Sequence, residues 1–126
     1  MSVSSYRDLD VWKLGVQLSL AIYKLTFSFP DSERFGLVSQ MRRCAVSIPS
    51  NIAEGHARLS TREFVRFISI ALGSLAGLET QMHIAKELGF LRQDTAAELS
   101  QTMDRLGKQL RSLTKSLQLR LNKAEF

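Results

Sequence analysis

Cysteine, histidine and proline are scarce in this chain of 126 residues, which has one cysteine, two histidines and two prolines. A single thiol cannot form an internal disulfide, so the sequence does not require an oxidising compartment. Neither His56 nor His83 has a second histidine or a cysteine at ligand spacing, and no glycine-rich loop follows a strand. We therefore expect no metal site, no cofactor site and no catalytic residues, and the composition indicates a protein that is not an enzyme.

Long apolar runs are also missing. No uninterrupted apolar stretch approaches the roughly 20 residues of a membrane span. The first ten residues, MSVSSYRDLD, lack the basic segment and apolar run of a secretory signal. A cytoplasmic protein with no membrane contact is therefore expected. The formal charge of +5 is a mild basic excess, which permits contact with nucleic acid without demanding it.

Four segments repeat apolar residues every three or four positions, and none has the period of two that a strand needs. They predict helices over about 10–28, 33–57, 61–88 and 94–121, within a single domain of residues 1–126. Asp31 or Ser32 can cap the second helix. Ser60 and Glu63 form a capping box at the start of the third, and Gly89 is suited to end it. The short links predict an all-α, up-down-up-down antiparallel four-helix bundle.

A proline interrupts the second segment within the stretch AVSIPSNIAEG, residues 45–55. Pro49 leaves the carbonyl of Ala45 without its helical donor, at a cost of about 3 kcal/mol in a helix interior. We therefore predict that the second helix is kinked at Pro49. The hydroxyl of Ser47 or Ser50, or a water molecule, is expected to satisfy the loosened carbonyls.

Polar side chains of the same helix share one arc beside its apolar seam. The pattern predicts a hydrogen-bonded polar cluster at a helix or subunit junction, formed by Arg43, Ser47, Asn51 and Glu54. Arg66 of the third helix is a candidate partner for Glu54. The alternative interpretation is a set of solvated polar groups beside a bend that tightens the bundle.

Basic residues gather in two places. The stretch MRRC places Arg42 and Arg43 together, and the fourth helix carries no acidic residue between Arg105 and Ala124. Most basic residues of this helix lie opposite its leucine seam. They indicate a surface that binds phosphates of RNA or DNA without sequence preference, and the candidate residues are Arg105, Lys108, Arg111 and Lys115. The alternative is a solvated face.

Two stretches, SQMRRCAVSIPSNIAEG at 39–55 and GSLAGLETQ at 73–81, resemble the 23S rRNA intervening-sequence proteins, and the resemblance extends over Tyr6–Leu117. It implies a four-helix bundle that assembles into a ring-like homopentamer. This family is also similar to accessory proteins of diversity-generating retroelements, which bind a reverse transcriptase and nucleic acid. Gly77 departs from the family pattern, which usually has a glutamate before LET, and this puts in question any site that uses that carboxylate.

Two functional hypotheses follow. The first is a non-enzymatic oligomeric adaptor that binds RNA or DNA, with or without a partner protein. The second is a structural or protein-binding bundle with no role in nucleic-acid binding. A homo-oligomer is expected in either case, because Val65, Leu72 and Leu119 are apolar residues outside the main seams that a monomer would expose.

Overall fold

The computed structural model describes residues 5–124, which form four α-helices and two short 3₁₀ turns, with no strand among them. The helices are α1 (Asp10–Thr26), α2 (Leu37–Ala57), α3 (Thr61–Glu87) and α4 (Gln93–Ala124). The all-α prediction is therefore confirmed. Residues 1–4 and 125–126 lie outside the described residues. They are the two ends of the predicted domain, and residues 1–4 begin the segment that was compared with a secretory signal.

The helices pack in a closed square, with α1 against α2, α2 against α3, α3 against α4, and α4 back against α1. The diagonal helices have no Cα atoms within 8 Å of each other, and the most extensive contact joins α2 and α3. This neighbour order is that of the predicted four-helix bundle. Every helix contributes fully buried side chains to one core, the largest of which are Leu18, Ile22, Met41, Ile48, Ile52, Ile68, Leu78, Leu106 and Leu110. No helix in residues 5–124 is both long enough and apolar enough to cross a membrane.

The start of α2 differs from the prediction because the capping group comes from an unexpected residue. Asp31 and Ser32, the expected caps, belong to a 3₁₀ turn at Asp31–Glu33. The carboxylate Oε1 of Glu33 accepts a hydrogen bond from the backbone N–H of Leu37, at 3.3 Å. The α-helix therefore begins at Leu37, four residues later than expected.

The ends of α3 follow their sequence signals closely. Ser60 Oγ accepts a hydrogen bond from the backbone N–H of Glu63 at 3.2 Å, which is one half of the predicted capping box, while the Glu63 carboxylate pairs with Arg66. Gly89 has a φ of +78°, and the N–H of Phe90 bonds to the carbonyl of Ala85 at 2.9 Å. This is a Schellman motif, in which the left-handed conformation of a glycine ends the helix.

Pro49 lies inside α2, which is one continuous helix from Leu37 to Ala57, so a bend at this residue stays a prediction. Ser19 Oγ of α1 lies 2.9 Å from the carbonyl of Ala45 and 3.0 Å from that of Gly15 on its own helix, and it can donate its single proton to either. The donor available to the Ala45 carbonyl therefore comes from a neighbouring helix, and not from the hydroxyl of Ser47 or Ser50. A Cβ added to Gly15 would lie 3.4 Å from the Pro49 ring, so the two helices are in close contact here.

The apolar residues expected on the surface divide into two groups. Leu72 is partly buried and packs against the core, and Val65 is also partly buried. Leu119 is 54% exposed, in agreement with the expectation. Other large apolar side chains are exposed as well, among them Leu20, Phe27, Phe35, Leu59, Ile70, Ile84 and Leu88.

Candidate nucleic-acid interface and polar junction

The four basic residues predicted on the fourth helix form one exposed face, which we call the α4 basic face: Arg105, Lys108, Arg111 and Lys115. They follow one another at intervals of three, three and four residues, while the leucines at 106, 110 and 117 point into the bundle and are buried. At a rise of about 1.5 Å per residue, this face extends roughly 15 Å along the helix. That length matches the phosphates of about four base pairs along one strand, at about 3.4 Å each.

No carboxylate within residues 5–124 forms an ion pair with the α4 basic face. Glu63–Arg66 and Arg92–Asp94 form ion pairs, His83 Nε2 lies 3.9 Å from Glu87 Oε1, and none of these contacts involves the α4 basic face. The guanidinium of Arg111 lies along the helix over Gly107, since its nitrogens would be 3.2 and 3.3 Å from a Cβ at that position. The four positive charges are therefore available to an external anion.

The polar cluster predicted on α2 exists in part, and it joins α2 to α3. Asn51 Nδ2 donates to the carbonyl of Ser47 at 2.8 Å and to Ser47 Oγ at 2.9 Å. The Ser47 hydroxyl in turn lies 2.8 Å from the hydroxyl of Ser74 on α3. Ser74 was missed because its stretch, GSLAG, suggests close packing of small residues, and no local pattern links it to α2.

The charged members of the predicted cluster lie apart from these hydrogen bonds. Arg43 and Glu54 are exposed, and neither joins the Ser47–Asn51–Ser74 network in the described part of the chain. Arg66, the candidate partner of Glu54, pairs instead with Glu63, one turn away on its own helix, with Nε 2.9 Å from Oε2. The hydrogen bond from Arg66 lowers the pKa of the Glu63 carboxyl.

The position where the family pattern has a glutamate lies beside the cysteine. A Cβ on Gly77 would be 3.4 Å from Cys44 Sγ, which is an ordinary contact. Gln81 Nε2 donates to the same sulfur at 3.4 Å, while Gln81 Oε1 is buried and has no hydrogen-bond partner in residues 5–124. No group of three His, Cys, Asp or Glu side chains in residues 5–124 is arranged to hold a metal ion.

Sequence analysis placed Arg42 and Arg43 together but missed the surface that they line, an open groove of about 580 Å³ on the outer side of α1 and α2. We call it the arginine–aromatic groove, and its lining includes Tyr23, Arg34, Phe35, Arg42, Arg43 and Val46. The guanidinium of Arg42 lies 4.5 Å from the ring centre of Tyr23 and 5.3 Å from that of Phe27. The signal available in the sequence was the spacing of Tyr23 and Phe27, four residues apart on α1, which places both on one face.

Comparisons with known proteins agree with this architecture. The family model described as 23S rRNA-intervening sequence protein matches residues 7–112. No curated protein matches the chain. A crystal structure of a protein of unknown function from the S23 ribosomal protein family of Bacteroides thetaiotaomicron is similar, with a TM-score of 0.77 and 20% sequence identity. The similarity covers 83% of this chain and 95% of that one, and at this identity it supports the fold alone.

Proposed function

The chain belongs to the family of 23S rRNA-intervening sequence proteins, and from this premise we propose that it is a non-enzymatic oligomeric adaptor that binds RNA or DNA. The proposed contact is between nucleic-acid phosphates and the α4 basic face. The observation that carries the proposal is a row of exposed arginines and lysines with no carboxylate of the described residues within 4 Å of their charged groups.

Lysine and arginine side chains on an exposed helix act on phosphates through charge, so sequence preference should be slight. Each phosphate that the protein neutralises releases condensed counterions, and affinity then falls as salt rises. For a duplex, the slope of log K against log salt is about −0.9 per phosphate, so four contacts would give about −3.6. A steep salt dependence is therefore the expected signature of the α4 basic face.

The oligomeric part of the proposal is supported by large apolar side chains outside the arginine–aromatic groove. Leu59, Ile70, Ile84, Leu88 and Leu119 are between 41% and 105% exposed, and contact with other copies would remove them from water. The number five comes from the family resemblance. A ring would repeat the α4 basic face in every subunit and so raise avidity without strong binding at each site. A monomer mass by light scattering at micromolar concentration would contradict this part.

The α4 basic face is tested by replacing Lys108, Arg111 and Lys115 together by glutamine. We expect weaker binding to both RNA and duplex DNA in filter-binding assays. Because three phosphate contacts are lost, the salt slope on duplex DNA should become shallower by up to about 2.7. The side chains are exposed, so the helical circular dichroism spectrum and the particle mass should not change.

The matched control replaces three exposed lysines of the other helices, Lys13, Lys24 and Lys86, by glutamine, which changes the net charge by the same amount. This control should bind nearly as well as the parent protein. Equal losses in the two triple variants would mean that net charge, and not the α4 basic face, governs binding. If the parent protein binds nothing at low salt, the alternative of a structural or protein-binding bundle is favoured, for which the exposed apolar residues are the supporting observation.

A further inference from the structure

The arginine–aromatic groove carries positive charge without a compensating carboxylate. Arg34, Arg42 and Arg43 line it together, and none of them belongs to an ion pair of the described residues. The hydrogen bonds of Arg42 go to neutral groups: Nε donates to Thr26 Oγ1 at 2.9 Å, and Nη2 donates to the carbonyl of Tyr23 at 3.4 Å. A groove of this kind is complementary in charge to an anionic ligand.

The guanidinium of Arg42 is held in place by the protein itself. Thr26, which accepts its Nε–H, is only 3% exposed, and the rings of Tyr23 and Phe27 lie against the guanidinium. Little side-chain entropy would therefore be lost when a ligand binds. Arginine has five N–H donors, so the two hydrogen bonds described above leave three for an anion.

Aromatic rings beside these charges are open to solvent. Phe35 is 88% exposed and Phe27 is 80% exposed, and the guanidinium of Arg34 lies 5.4 Å from the ring centre of Phe35. Single-stranded nucleic acid presents an anion and a flat ring in every unit of its chain, and its bases stack on aromatic side chains and on guanidinium planes. In a duplex the base faces are stacked on one another and cannot reach a protein ring. An acidic peptide offers the anions without a ring at each residue.

We propose that the arginine–aromatic groove binds single-stranded RNA or DNA, with a base stacked on Phe35 and neighbouring phosphates at Arg42 and Arg43. The inference rests on the proposed function, because nucleic acid is the ligand in both, and it adds a preference of this groove for single strands over duplexes. The groove lies on the outer side of α1 and α2, whereas the α4 basic face lies on the helix diagonal to α2, with no Cα atom within 8 Å of that helix. Substitutions on the two surfaces can therefore be compared separately.

The test is fluorescence anisotropy with labelled oligo(rU) and oligo(dT) of about 12 nucleotides and with a duplex of the same length, a size within the range of known single-strand sites. Stacking on an aromatic ring is worth about 1–3 kcal/mol per base, so Phe35→Ala should weaken single-strand binding at least about fivefold. Duplex binding should not change. Phe35→Tyr keeps the ring and should bind like the parent protein, and Leu20→Ala removes another exposed apolar side chain, one that does not line the groove, as the control.

A 2-aminopurine placed in the single strand reports stacking directly, and its fluorescence should fall on binding to the parent protein but not to the Phe35→Ala variant. Losses for both single strands would support the inference for RNA and DNA alike, and a loss for one would restrict it to that polymer. Unchanged single-strand binding in the Phe35→Ala variant would overturn the inference, whatever the α4 variant shows. A changed particle mass with unchanged oligonucleotide binding would also overturn it, because the groove would then be a protein interface. Failure of the proposed function appears differently, as a glutamine variant of α4 that binds duplex like the parent.

Discussion

Replacing Ser19, whose hydroxyl lies beside the carbonyl of Ala45, tests quantitatively how α2 accommodates its proline. Pro49 has no N–H, so the Ala45 carbonyl lacks the donor that a helix would normally supply four residues later. Ala45 is fully buried and Ser19 is 9% exposed, so water does not readily replace the Ser19 hydroxyl. Ser19→Ala should therefore leave a buried acceptor without a partner, at a cost of about 1–3 kcal/mol in the free energy of unfolding.

The double-mutant cycle with Pro49→Ala isolates this effect. An alanine at position 49 restores an N–H that can donate to the Ala45 carbonyl within α2. In that background Ser19→Ala should cost about 1 kcal/mol less than in the parent protein. Pro49→Ala also removes the helix penalty of proline and the contact of its ring with Gly15, so the informative quantity is the coupling energy of the cycle and not either single change.

The assay is urea unfolding followed by far-ultraviolet circular dichroism, at one fixed protein concentration because association would shift the apparent stability. For a chain of this length, 1 kcal/mol corresponds to a shift of about 4 °C in melting temperature, which gives a second measurement. Ser69→Ala, at an exposed serine of α3, is the control and should change stability by less than about 0.5 kcal/mol. An equal cost of Ser19→Ala with and without the proline would refute the reasoning.

Five further outcomes can be checked on the same protein. Gly73→Ala should raise the free energy of unfolding by about 1 kcal/mol, because a Cβ there meets nothing within 4 Å and alanine favours a helix. Gly55→Ala should lower the free energy of unfolding, because a Cβ there would lie 2.5 Å from a phenylalanine of α3. Asn51→Ala removes two hydrogen bonds and should lower the melting temperature, which differential scanning fluorimetry would detect. Because the pKa of Glu63 is lowered in the folded protein, the Glu63 carboxylate should stabilise the fold above its unfolded pKa, and this stabilisation should be lost as pH falls through the folded pKa. Arg66→Gln should raise the folded pKa of Glu63 in a carbon NMR titration. An unchanged pKa would contradict the assignment to Arg66.

The sequence was most informative where structure depends on residues a few positions apart. Apolar periodicity located all four helices, and the local signals of Ser60 and Gly89 set both ends of α3, since a capping residue and the backbone group that it satisfies lie within one or two turns. Glu33 at the start of α2 shows the limit of such rules. Its carboxylate caps Leu37 from four residues away, whereas the usual signal places the cap directly before the helix.

Contacts between helices were much less predictable, because periodicity indicates the inner face of a helix but not the axial register in which that helix packs against its neighbour. Ser47 bonds to a serine 27 residues away, and Ser19 bonds to a carbonyl 26 residues away. Exposed charges are unpredictable for another reason. The side chain of Arg66 reaches the nearest carboxylate, Glu63, and an ion pair at the surface is worth too little to draw it to Glu54.

Contacts between α1 and α2 explain how α2 accommodates its proline. Gly15 and Ser19 lie four residues apart on α1, and they meet Pro49 and Ala45, which lie four residues apart on α2. Residue numbers rise along α1 as they fall along α2, which is the register of an antiparallel pair. The proline ring packs at ordinary contact distance from the position of a Cβ at Gly15, and one turn later the hydroxyl of Ser19 replaces the donor that the proline lacks. A proline that would weaken an isolated helix thus helps to fix the axial register in which α1 and α2 pack.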